Sequence, residues 1–87
     1  MNVDDLLDNI RLDKLFRKEE SVQIKVEEAA KEKDVVKLGI IYEEILDLYR
    51  QLQDTPIPTR PKHKQYYINI RRRTEEMRAN IEKIISI

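Results

Sequence analysis

His63, the single histidine of the chain, is the first candidate for proton transfer, because an imidazole titrates near neutral pH. Catalysis through it needs a cleft and a reacting group within hydrogen-bond reach. His63 stands instead in a basic stretch beside three prolines, and Ser21 and Ser86 have no base near them in the sequence. The sequence predicts an exposed histidine with no chemical role, and no catalytic residue.

Carboxylates are the next candidates. Glu19-Glu20, Glu27-Glu28, Glu43-Glu44 and Glu75-Glu76 could bind metal if helices brought them together. Di-metal helical bundles, however, use Glu-x-x-His pairs on facing helices, and no such pair occurs here. Bases stand one helical turn from several of these acids, as in Glu27 with Lys31, Arg71 with Glu75 and Arg72 with Glu76. The acids read as solvated faces, and no metal site and no cofactor is expected. With Gly39 the single glycine, neither a phosphate-cradling loop nor tight β-hairpins can be built.

A third group could contact nucleic acid. Arg60, Lys62, His63, Lys64, Arg71, Arg72, Arg73 and Arg78 cluster late in the chain with Tyr66 and Tyr67 among them. Basic residues interleaved with aromatics suit phosphate contact and base stacking. The 87 residues are neutral overall, with 17 bases against 17 acids. That balance hides a split: fourteen acids and nine bases through Asp54, then three acids and eight bases, or −5 followed by +5. Such a split suits helices that neutralise one another across a bundle. Arg71, Arg72 and Arg73 point three ways around a helix, so at least one is expected to pair with an acid of an earlier helix.

The elements that must position these residues are helices. Glu, Lys, Leu, Arg and Ile dominate a chain with one glycine. Apolar residues recur at steps of three and four in Val35, Leu38, Tyr42, Ile45, Tyr49 and Leu52, which predicts a helix over 35–53 capped by Asp34. Ile41 and Leu48 widen this stripe on one side and Leu46 on the other, as a central helix with two neighbours requires. Three prolines between Asp54 and Pro61 then stop the helix. Tyr67, Ile70, Thr74, Met77, Ile81 and Ile84 predict a last helix over 62–86, with Pro61 suited to its first turn. Leu15, Val22, Val26, Ala29 and Ala30 predict a first helix over 13–31, interrupted by Glu19. Val3, Leu6, Leu7 and Ile10 do not share that phase, so residues 1–12 read as a separate extension or short helix. The fold class expected is all-α: an antiparallel three-helix bundle over 13–87 with a short N-terminal helical extension.

The absence of cysteine fits a reducing, cytoplasmic setting, and no apolar run approaches the ~20 residues that span a bilayer. Surplus apolar positions then suggest what such a bundle does. Leu46 and Ile68 fall outside the tidiest stripes, and surplus apolar surface invites an amphipathic helix. A groove between the second and third helices is the expected contact, with Leu46 and Ile68 apolar and Arg71, Arg72 and Glu75 polar.

Tyr42-Glu-Glu-Ile-Leu-Asp-Leu-Tyr49 resembles the helix-two signature of microtubule-interacting-and-transport (MIT) domains, roughly Tyr-Glu-Glu-Ala-Leu-x-Leu-Tyr. Arg73-Thr-Glu-Glu-Met-Arg78 resembles their helix-three signature, Arg-Ala-Glu-x-Leu-Lys. The resemblance covers residues from about 13 to the end. It implies a non-enzymatic module that recruits its host to ESCRT-III-type filament subunits by binding their helical tails. Ile45 and Thr74 stand where the family usually has alanine, and Arg71 where it has a large apolar residue touching the bound peptide. The second helix also stops sooner after Tyr49 than the family's does. Two other readings use the same residues: a nucleic-acid-binding domain acting through the basic third helix, or a small helical chaperone or subunit that self-associates through Val3, Leu6, Leu7 and Ile10.

Overall fold

The computed structural model describes residues 3–85, so Met1, Asn2, Ser86 and Ile87 lie outside it, including the candidate nucleophile Ser86 and the expected last residue of the third helix. Three helices form: α1 (Val3–Glu32), α2 (Val35–Asp54) and α3 (Pro61–Ile85), with no strand among the described residues. Each helix packs on both others, which makes the all-α three-helix bundle that the apolar spacing predicts. The molecule is a rod of 48 × 18 × 17 Å.

α1 departs from expectation. Residues 3–12 are not a separate element; they continue without a break into the rest of a 30-residue helix. Neither glycine nor proline stands between Ile10 and Asp13 to interrupt it. The buried row is Leu12, Leu15, Glu19, Val22, Val26 and Ala29, in alternating steps of three and four. Glu19 therefore occupies a core position, and Ala30 is only half-buried. The same steps run upstream from Leu12 to Asp8 and Asp5, so polar residues carry the inward row where an apolar phase was sought.

The first turn is a Schellman cap in which lysine replaces the usual glycine. Lys33 adopts φ 55°, its N–H donates to the Ala30 carbonyl, and the Asp34 N–H donates to the Ala29 carbonyl. Asp34 then caps α2, its carboxylate accepting from the Lys37 N–H at 3.0 Å. α2 buries Leu38, Ile41, Ile45, Leu48 and Leu52. Tyr42 and Tyr49 are half-buried and pack against that row, whereas Val35 is exposed.

Beyond α2, the Thr55 hydroxyl donates to the Gln51 carbonyl, and the Tyr67 hydroxyl donates to the Leu52 carbonyl at 2.8 Å. The Thr55 hydroxyl thus satisfies a Gln51 carbonyl that the helix end would otherwise leave unpaired, and the Leu52 carbonyl accepts from both Tyr67 and the Thr55 N–H. Pro61 is the first residue of α3, preceded by Arg60, whose carbonyl accepts from the Lys64 N–H. Proline has no N–H to lose at that position. α3 buries Tyr67, Ile70, Thr74, Met77 and Ile81.

Cross-helix pairs define the directions. Asp13 meets Tyr66 and Glu19 meets Arg73, so α1 and α3 run parallel. Lys25 meets Glu44 and Lys18 meets Asp47, so α2 runs antiparallel to α1.

Candidate partner-binding surfaces

The α2/α3 edge is lined by two helical rows. On α2, Tyr42, Leu46 and Tyr49 stand at steps of four and three. On α3, Ile68, Arg71, Glu75, Arg78 and Glu82 stand at steps of three and four. Four of the five expected contact residues thus lie along this edge: Leu46 half-buried, and Ile68, Arg71 and Glu75 exposed. Arg72 does not. It sits one helical step away on the outer side of α3, with Glu76 3.9 Å from it.

A pocket of about 220 Å³ opens near the proline loop, lined by Tyr49, Leu52, Ile57 and Tyr67, with Arg71 beside it. The Arg78 guanidinium lies 5.3 Å from the centre of the Tyr49 ring, a cation–π distance. The Tyr49 hydroxyl is enclosed and has no hydrogen-bond partner among the described residues. Burial pushes the Tyr49 phenol above its ordinary value, because an enclosed phenolate is poorly solvated. Further along the same edge, Tyr42 donates to Glu82 at 2.7 Å beside a second, largely apolar pocket reached by Ile81 and Ile85. That hydrogen bond, then burial, raises the Tyr42 phenol. The sequence reading missed Tyr49, Ile57 and Arg78 here. The heptad spacing of Tyr42 and Tyr49 was a usable signal, whereas Ile57 sits in a loop where periodicity gives none.

The α1/α3 seam holds a different cluster. Arg73 Nε lies 2.5 Å from Glu19 Oε1, with its guanidinium 5.4 Å from the centre of the Phe16 ring. Phe16 meets Tyr66 edge-on at 5.9 Å, and Tyr66 donates to Asp13 at 3.0 Å. Burial, then that hydrogen bond, raises the Tyr66 phenol. Arg73 is the arginine that pairs with an earlier helix. Tyr66 and the buried Tyr67 are committed to the bundle, so the rings suited to base stacking are already in use.

His63 is a correction. Its side chain is only 12% exposed and faces Asp8 across 4.0 Å, with Nδ1 enclosed and unbonded among the described residues. The parallel packing of α1 and α3 sets the two side by side, which linear sequence does not reveal. One turn above, Arg60 Nη2 lies 2.7 Å from Asp5 Oδ2. Among the described residues no three His, Asp or Glu side chains converge as metal ligands would. No described helix is long and apolar enough to cross a membrane.

No family model, curated protein or solved structure matches this chain. The geometry alone therefore carries the functional reading.

Proposed function

We propose that this chain is a non-enzymatic protein-interaction module that receives an amphipathic helix along the α2/α3 edge. MIT-like recruitment to ESCRT-III-type filament subunits, in trafficking within the cytoplasm, is the specific form we favour. The observation that carries the reading is a pocket walled by Tyr49, Leu52, Ile57 and Tyr67 between α2 and α3, the two helices that also carry half-buried Leu46 and exposed Ile68. One aliphatic anchor of a ligand helix fits such a pocket, and the Arg71, Glu75, Arg78 and Glu82 row supplies alternating charges for its polar flank. Arg71, at a position where MIT domains carry an apolar contact, favours an acidic residue on the ligand beside that anchor.

NMR titration of the labelled chain with helical tail peptides from ESCRT-III-type subunits tests this. Saturable shifts at Leu46, Tyr49, Ile68 and Arg71 are expected. Unchanged spectra at ~1 mM peptide, weaker than any useful affinity, would remove this ligand class.

A further inference from the structure

Residues 3–10 of α1 join the bundle without burying an apolar side chain. Val3, Leu6, Leu7 and Ile10 are all exposed, only Asp5, Asp8 and Asn9 are half-buried, and the buried row begins at Leu12. α2 does not reach this segment: Lys18 pairs with Asp47, and seven residues further on each helix α2 ends at Asp54, level with about Arg11. Two charge contacts tie the segment to the start of α3. Arg60 Nη2 lies 2.7 Å from Asp5 Oδ2, and His63 Nδ1 lies 4.0 Å from Asp8 Oδ2. A helix end with so little buried apolar contact belongs to the low-stability part of a fold, where a single ionic contact weighs heavily on local opening.

The two contacts answer pH differently. Arginine is always charged and carboxylates are ionised above about pH 5, so Asp5–Arg60 is unchanged between pH 5.5 and 8. His63 is the group that changes charge in that range. Its Nδ1 is enclosed and unbonded among the described residues, and 4.0 Å is too long for a hydrogen bond. A neutral imidazole therefore gains little from Asp8, whereas an imidazolium attracts it in a site where water screens poorly. Burial opposes the imidazolium. Asp8, however, is itself only 24% exposed, and no other basic group lies within 4.0 Å of it among the described residues. The remaining charges nearby do not discriminate. Lys62 and Lys64 flank His63 on α3 whatever α1 does, while Arg11 and Asp54, at the nearest parts of α1 and α2, are exposed and screened. The Tyr67 hydroxyl is committed to the Leu52 carbonyl.

We propose that His63 and Asp8 form a proton-operated clasp on the start of α1. With His63 protonated, residues 3–10 are held on α3 as helix. With His63 neutral, the segment hangs on Asp5–Arg60 and frays from its N-terminal end. The attraction exists only in the clasped form, so helix in the segment is favoured at low pH and lost as pH rises through the imidazole titration. Fraying of eight residues shortens the helix by about 12 Å and disperses the exposed row of Val3, Leu6, Leu7 and Ile10.

Carbon-13 NMR of the full chain between pH 5.5 and 8 reads both halves of the clasp: Cα shifts of residues 4–10 give the helical population, and the His63 ring shifts give the proton. The frayed-to-helical ratio of the segment is expected to rise at least about threefold over this range, the scale of one such ion pair, along the same curve as the His63 ring. Residues 20–30 are expected to stay helical throughout. In Asp8→Asn, a change at a half-buried position, the pH dependence of the segment is expected to vanish. A segment indifferent to the His63 titration overturns the proposal, as does one that gains helix with rising pH or a dependence that survives in Asp8→Asn.

Discussion

Glu19 is 1% exposed in the middle of the apolar row of α1, and its carboxylate is met there by the Arg73 guanidinium of α3. The pair sets two parallel helices in register. An offset of one residue would leave Glu19 among Leu15, Val22 and the other core side chains with no counter-charge. Replacing a buried pair with well-packed apolar residues is often neutral or stabilising, whereas removing one partner strands a desolvated charge.

Removing one partner should therefore be far worse than removing both. Arg73→Ala leaves a buried carboxylate unpaired and is expected to cost about 3 kcal/mol in urea denaturation. Glu19→Leu combined with Arg73→Leu is expected to match or exceed the starting stability. Equal losses in the single and double variants would show that Arg73 acts mainly through its packing on Phe16.

Glycine is wanted at one position and sits at another. Lys33 holds φ 55°, so Lys33→Gly relieves left-handed strain and is expected to add about 1 kcal/mol. Gly39 lies within α2 with no heavy atom within 4 Å of an added Cβ, so Gly39→Ala is expected to add about 1 kcal/mol as well. Thermal melts of the two variants and their combination check both values and their additivity, since the sites do not touch.

The phenols of Tyr42, Tyr49 and Tyr66 all sit above their ordinary value near 10. Their folded forms hold the proton more tightly than the unfolded chain does. Their contribution is thus complete below about pH 10 and is lost as pH rises from there through the folded-state values. Stability in urea should decline above about pH 10, and tyrosinate absorbance in the native chain should emerge later than in the denatured one. Coincident titrations of native and denatured chains would contradict this.

Ile68 and Ile70 stand two residues apart, one exposed and the other fully buried. Ile70→Asp places a charge in a fully buried site and is expected to unfold the chain. Ile68→Asp should leave the helical signal within about 0.5 kcal/mol of unchanged stability while abolishing ligand-peptide shifts. A loss of folding in Ile68→Asp would return Ile68 to the core.

α2 and α3 were legible almost to the residue: 35–53 expected against Val35–Asp54, and 62–86 against Pro61–Ile85. Asp34, the prolines and the 3–4 apolar steps are local signals, and local signals survive in a linear string. α1 was misread at Glu19, Asp8 and Asp5 because a carboxylate at an inward position looks like a broken stripe. Only its partner, some 54 residues away in Arg73, His63 or Arg60, shows that the stripe continues. The same distance hid the enclosure of His63. On the α2/α3 edge, Leu46, Ile68, Arg71 and Glu75 followed from helical spacing, but Ile57 belongs to a loop and Arg72 turned outward.

The parallel setting of α1 and α3 also has a consequence for biosynthesis. α1 leaves the ribosome first, and its inward row can close fully only on a helix whose last described turn is made more than fifty residues later. A hairpin of α1 and α2 can form meanwhile, yet Glu19 waits in it as an unpaired charge until Arg73 emerges. The core of the nascent chain is thus complete only when the third helix arrives and brings Arg73 onto Glu19.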